Sequence, residues 1–153
     1  MRIEESFTVS VPIASAWEAI RDPEVVAPCI PGCEAIEVVD PTHYKAAVQM
    51  GLGPIKMRFL VEVEITEEDA PTRIVSITKG EEGGRASRVR SQNVLSLTAL
   101  GDRETEVAYS AEVDVTGRIA KFGFGMMKKK AQMLGGEFAE AFRKRVENGR
   151  DEA

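Results

Sequence analysis

The sequence predicts an α+β protein in which a curved antiparallel sheet of about seven strands wraps around one long C-terminal helix, with two short helices after the first strand. Three observations lead there. Residues 34–115 alternate apolar and polar side chains almost throughout, which is the period of strands with one wet face. The connections between these segments are short, and short connections favour antiparallel neighbours. From residue 117 onward the spacing becomes helical, and a sheet with one apolar face must cover it with the long apolar stripe that is available. A chain of 153 residues fits a single core, expected over residues 1–148 with a short polar tail at 149–153.

The elements follow in order. Ile3, Glu5, Phe7, Val9 and Val11 alternate with Glu4, Ser6 and Thr8, a first strand with one solvated side. "PIASAWEAIRDP" opens on a proline and closes at Asp22-Pro23, with Ile13, Trp17 and Ile20 at helical spacing. "PEVVA" reads as a second, shorter helix leading into "PCIPGC". Six strands follow in "EAIEVV", "YKAAVQMGL", "KMRFLVEVEIT", "RIVSIT", "SRVRSQNVLSLTAL" and "TEVAYSAEVDV", separated by Asp, Gly and Pro turns. In the last segment Ile119, Phe122, Met126, Met133, Leu134 and Phe138 form the apolar stripe. Gly123, Gly125, Gly135 and Gly136 interrupt it, each at a cost of about 1 kcal/mol relative to alanine in a helix interior.

Alternation also names the inner face. The third strand offers Tyr44, Ala46, Val48, Met50 and Leu52, and the fourth Met57, Phe59, Val61, Val63 and Ile65. The sixth offers Val89, Ser91, Asn93, Leu95, Leu97 and Ala99, and the seventh Thr105, Val107, Tyr109, Ala111, Val113 and Val115. Acid–base catalysis needs an inward carboxylate, histidine or lysine, and strands 44–115 are expected to supply none; Glu5 alone is placed to point in. Hydroxyls and one amide remain, on Tyr44, Ser91, Asn93, Thr105 and Tyr109, which orient a guest but are poor proton shuttles. Small residues (Ala46, Ser91, Ala99, Ala111) mixed with flexible Met50, Met57, Met126 and Met133 are consistent with an apolar cavity bearing a few polar anchors. The same composition also suits a closed core whose hydroxyls satisfy one another. Lys130 falls on the apolar stripe, either snorkelling to water or donating at the cavity mouth.

Several chemistries lack their residues. His43 is the sole histidine and lies in a turn, so no histidine-based triad or His-rich metal site is expected. Cys29 and Cys33 are separated by three residues, unlike zinc knuckles or thioredoxin-like pairs, and no second pair exists. "CIPGC" is expected to be a stiff turn at the edge of the cavity, with Pro31-Gly32 suited to a type II bend. The N-terminus has no apolar run behind a positive start, and no stretch approaches the ~20 apolar residues of a membrane span, so a cytoplasmic protein is expected. Charge is uneven: residues 1–116 carry 11 Lys+Arg against 20 Asp+Glu (−9), and residues 117–150 carry 9 against 3 (+6). The basic end is either a solvated helix face or a surface for an anionic membrane or acidic protein. Nucleic acid is not expected, because aromatics do not interleave with the basic runs.

Trp17, Asp22-Pro23, "CIPGC" at 29–33, "GLGPI" at 51–55, "TEVAYSAEVDVTGRIAKFG" at 105–123 and the closing helix resemble the carbon monoxide dehydrogenase G-subunit (CoxG) family of the START-like (SRPBCC) superfamily. The resemblance runs from about residue 2 to 146. It implies the helix-grip fold around a hydrophobic cavity, and association with a molybdenum hydroxylase of the carbon monoxide dehydrogenase type, in maturation, membrane attachment or quinone transport. On that analogy a quinone (menaquinone or ubiquinone) would lay its tail between Met57, Phe59, Val61, Phe122 and Met126, with Tyr44, Asn93 or Tyr109 reaching its head. Family members that anchor themselves extend past the long helix, whereas this sequence stops at "RDEA", so a shuttle or transient peripheral contact through the basic helix is expected. A docking or assembly factor without a ligand, serving the dehydrogenase or a maturation ATPase, stands as the alternative. A cyclase- or hydratase-type enzyme is a third reading, opposed by the missing inward acid or base.

Overall fold

A computed structural model describes residues 1–151. Seven strands form one sheet: β1 (Arg2–Val9), β2 (Cys33–Asp40), β3 (His43–Leu52), β4 (Ile55–Asp69), β5 (Arg73–Glu82), β6 (Ser87–Gly101) and β7 (Glu104–Gly117). The order across the sheet is β1-β7-β6-β5-β4-β3-β2, and every neighbouring pair is antiparallel. β2 to β7 therefore form a continuous meander, and β1 closes onto β7. Two short helices, α1 (Ile13–Ile20) and α2 (Pro23–Val26), separate β1 from β2, and α3 (Phe124–Asp151) ends the chain. The sheet curves, and register shifts in β2, β4 and β6 mark bulges, which bend a strand and increase its twist. The expected tail at 149–153 falls partly on α3, and its last two positions, 152 and 153, lie outside the described residues.

Local chemistry explains the entries and exits. Asp22 caps α2 by accepting from the Glu24 N–H at 2.9 Å, with Pro23 at the first helical position where no N–H is needed. Pro31-Gly32 makes the expected bend: Cys33 N–H donates to Ile30 C=O at 3.2 Å, and Gly32 has φ +80°. Before α3 the chain makes a separate 3-10 turn over Arg118–Phe122, ended by Gly123 at φ +84°.

That break corrects the predicted apolar stripe. Ile119, Phe122, Leu134 and Phe138 of the expected stripe do face the sheet or its cavities, but Gly123 restarts the helix and Met127 rather than Met126 turns inward at the start of α3. Met127, Ala131, Leu134, Phe138 and Phe142 cover the sheet or line its cavities, while Met126 and Met133 are about half exposed.

Two apolar clusters cap the concave face. One joins Val9, Val11, Leu97 and Val107 to Ala16 of α1 and to Phe142 and Val146 of α3. Within it Phe138 and Phe142 stack at 5.6 Å, and Phe7 meets both edge-on. The other joins Leu52, Met57, Phe59 and Ile119, with Val61, Val89, Val115 and Phe122 packed on it. Leu97 and Val89 stand towards opposite ends of β6, as Val107 and Val115 do on β7. Between them lie Ser91, Asn93, Tyr109 and Ala111, too small or too polar to fill the volume as the end clusters do.

The interior is not free of acids, contrary to the expectation for strands 44–115. β5 runs four residues beyond the predicted stretch, carrying its alternation from Ile74 through Ser76, Thr78 and Gly80 to Glu82, which is buried. Ser87 Oγ donates to Glu82 Oε1 at 2.8 Å and accepts from Ile119 N–H at 2.9 Å. Arg118 donates to both Glu82 oxygens. This network pins the 3-10 turn to the β5–β6 hairpin.

The Arg118 guanidinium holds the Glu82 carboxyl below the usual carboxylate range, aided by Ser87 and opposed by burial. A depressed native pKa contributes stability that is complete above the unfolded value, about 4.3, and is lost as pH falls through the native one. Glu82→Gln should accordingly be less stable than the wild type at pH 7. That gap should close as the pH drops below about 4.3, as urea midpoints measured along a pH series will report.

Candidate functional site

The larger of two cavities on the concave face has a volume of about 460 Å³ and lies between β3–β7 and the α1–α2 segment, with Phe138 of α3 on its wall. Its lining is chiefly aliphatic: Ile20, Val26, Ile30, Ile36, Val63, Ile65, Ile74 and Leu95. Polar atoms come from Arg21, Tyr44, Ser76, Asn93 and Tyr109. A smaller cavity of about 210 Å³ lies under the first half of α3, where Met50, Leu52, Val113, Met127 and Leu134 meet Ser91 and Lys130.

The polar groups are arranged in three places. Arg21 closes one end, donating to Tyr44 Oη at 2.9 Å, to Pro41 C=O at 3.2 Å and to Glu68, while Tyr44 Oη donates to Pro41 C=O at 3.0 Å. In the middle, Asn93 Nδ2 donates to Thr78 Oγ1 at 3.0 Å and Ser76 Oγ at 3.3 Å, and Ser91 Oγ donates to Asn93 Oδ1 at 3.1 Å. Ser91 and Asn93 thus link the two cavities, each lining one of them. At the far side, separated from Tyr44 by three intervening strands, Tyr109 Oη donates to Glu5 Oε2 at 2.7 Å.

Glu5 does point inward, and Gly135 of α3 makes room for the pair. A Cβ at residue 135 would collide with both Tyr109 Oη and Glu5 Oε2. Burial, then the hydrogen bond to Glu5, pushes the Tyr109 pKa far above that of an ordinary tyrosine. The phenol therefore keeps its proton across the workable pH range, which suits a fixed polar anchor better than a proton shuttle.

Of the residues anticipated to meet a ligand, Tyr44, Asn93 and Tyr109 line the larger cavity, and Met50, Ser91 and Lys130 the smaller. Met57, Phe59, Val61 and Phe122 sit elsewhere, in the packed cluster at the β3–β4 end, and Met126 is 48% exposed. The tail position expected between those five residues is therefore occupied by core packing. Sequence reasoning misses Arg21, whose helix end reads as surface, and the β5 pair Ile74 and Ser76, whose inward alternation is open to reading.

"CIPGC" contributes through Ile30, which lines the larger cavity, rather than through its thiols. Both cysteines are free, and Cys29 is buried, donating to Val25 C=O at 3.3 Å. Burial raises the pKa of both thiols, leaving them in the unreactive neutral form. Among the described residues, no three His, Cys, Asp or Glu side chains gather as metal ligands, and no helix is long and apolar enough to cross a membrane.

Comparison with known proteins agrees with this architecture. A family model for CoxG, described as the G subunit of carbon monoxide dehydrogenase, matches residues 6–147. No curated protein sequence matches the chain. A conserved protein from Geobacillus kaustophilus superposes with a TM-score of 0.89 at 25% identity, over 97% of this chain and 96% of that one. A START superfamily protein from Mycobacterium smegmatis gives 0.73 at 17% identity, over 96% and 97% of the two chains. The Zhui aromatase/cyclase from Streptomyces sp. R1128 gives 0.71 at 12% identity, over 96% and 93%. The fold is START-like, a helix-grip sheet around its C-terminal helix.

Proposed function

This chain belongs to the CoxG family, and from that premise we propose that it is a non-enzymatic carrier of an apolar small molecule, most specifically a quinone, that serves a molybdenum-containing dehydrogenase. The observation that carries the proposal is the 460 Å³ cavity, walled by aliphatic side chains with a few fixed polar atoms. Such a space binds a flat apolar body and orients its oxygens without transforming it. The head of the guest sits among Tyr44, Ser76, Asn93 and Tyr109, and the tail leaves along Ser91 toward Met50, Met127 and Lys130. Glu5 and Tyr109 are an ionisable pair in hydrogen-bond contact, which keeps a cyclase-type enzyme as a rival. The high Tyr109 pKa argues against it.

Mass spectrometry of an organic extract of the purified protein should reveal a quinone, and menaquinone or ubiquinone analogues should bind saturably. Absence of both sinks the carrier.

A second surface supports docking. Residues 115–136 contain no Asp or Glu, and Phe124, Met126 and Met133 are exposed on the helix that carries Lys128 and Lys129. Lys128 Nζ lies 6.0 Å from the Phe124 ring centre. Basic groups beside exposed apolar ones suit the interface of an anionic bilayer. Reversing Lys128 and Lys129 to Glu should weaken sedimentation with phosphatidylglycerol vesicles at least tenfold, at about 1 kcal/mol per lost basic charge, and leave quinone binding unchanged. If vesicle binding persists while pull-down of the dehydrogenase is lost, the surface docks protein instead.

A further inference from the structure

The polar atoms of the larger cavity differ in what they can still offer once their protein partners are counted. Tyr109 Oη has one proton and uses it to donate a hydrogen bond to Glu5 Oε2 at 2.7 Å. An ionised carboxylate has no proton to return, so the phenol oxygen is left with lone pairs alone. The carboxylate beside it likewise only accepts. Gly135 places bare backbone over the pair, where any side chain would push the two oxygens apart or cover them. Asn93 is engaged with Ser91, Ser76 and Thr78. Tyr44 gives its proton to Pro41 C=O and accepts from Arg21. The donors still available in this cavity are therefore the Ser76 hydroxyl, which only accepts from Asn93 and stands two strands from Tyr109, and Arg21, on the Tyr44 side with three strands between Tyr44 and Tyr109.

We propose that the Tyr109 end of the cavity recognises a hydrogen-bond donor, so that the guest held there presents a hydroxyl, as a hydroquinone or phenol does, rather than a bare carbonyl. This rests on the carrier function proposed above and names the chemical state of its cargo. A carbonyl turned toward Tyr109 meets lone pairs and a negative charge. It gives up its hydrogen bond to water and gains none in return, whereas a hydroxyl donates to Tyr109 Oη, the member of the pair that lines the cavity. The reduced form of a two-oxygen guest is then retained more tightly than the oxidised form.

Calorimetric titration with 1-naphthol, 1-methoxynaphthalene and 1-tetralone separates the possibilities, because the three share a bicyclic body and do not alkylate thiols. The expected result is 1-naphthol binding about tenfold more tightly than either of the others, the worth of one hydrogen bond. Tyr109→Phe should reduce 1-naphthol to the level of 1-methoxynaphthalene. Glu5→Leu, which frees the Tyr109 proton, should turn the preference toward 1-tetralone; if that variant does not melt cooperatively, Tyr109→Phe decides alone. Equal affinities in the wild type, or a naphthol preference that survives Tyr109→Phe, overturn the inference and leave the carrier function standing. Failure of all three compounds to bind overturns both.

Discussion

Ser76→Phe should abolish guest binding while leaving the protein folded. Ser76 lies on the inner face of β5 between Ile74 and Thr78 and lines the larger cavity, so an aromatic ring there occupies the space a guest would fill. Inserting bulk into a packed core costs about 1–3 kcal/mol. Here the ring enters an existing void of 460 Å³, and Asn93 Nδ2 keeps its second acceptor, Thr78 Oγ1. The melting temperature should therefore stay within a few degrees of the wild type. Affinity for a menaquinone analogue should fall at least about 100-fold, since the steric loss exceeds any single contact. Unimpaired binding in a folded Ser76→Phe protein would place the guest elsewhere.

The largest effect on stability is expected at Gly32. Its φ of +80° is the type II requirement, and a Cβ added there would collide with the Gln49 carbonyl. That carbonyl cannot retreat freely, because its strand is held at this point by Gln49 N–H donating to Gly32 C=O at 2.8 Å. Gly32→Ala therefore combines a strained backbone, about 1–3 kcal/mol, with a collision against main chain. A total near 3 kcal/mol should lower the melting temperature by roughly 6–12 °C for a chain of this size. Pro31→Ala removes only the preset φ of the preceding residue and should cost no more than about 1 kcal/mol. Thermal melts of the two variants side by side make the comparison, and equal losses would refute the clash. Ile30 sits in the same turn and on the cavity wall, so Gly32→Ala should also weaken guest binding.

Much of this molecule is legible in the one-dimensional pattern. Period-two alternation places seven strands, and the residues it turns inward on β7, from Thr105 to Val115, face the interior in the structure. The Pro31-Gly32 bend follows from the φ each residue prefers. These features are local: each depends on a few neighbouring residues and a backbone rule. Glu5 can be named as inward-facing for the same reason.

The features that escape the pattern depend on contacts distant in sequence. β5 cannot be followed to Glu82, because Lys79-Gly80-Glu81 reads as a loop until Arg118, 36 residues away, supplies the charge that allows Glu82 to be buried. Met126 is expected inside the start of α3 and Met127 takes that place, because one positive φ at Gly123 resets a helix that composition portrays as continuous. Met57 and Phe59 enter the expected ligand contacts by alternation alone, which distinguishes inside from outside but cannot tell a filled inside from an empty one.

The sequence by itself determined the order of elements, the face each strand turns inward and the apolar character of that face, because these follow from side-chain period and backbone preference. Only the tertiary structure decided where the interior is full and where it is hollow, and that the Tyr109 hydroxyl already donates its hydrogen bond to Glu5, 104 residues away. Volume and hydrogen-bond commitment are properties of side chains brought together from distant positions, and no local period encodes them.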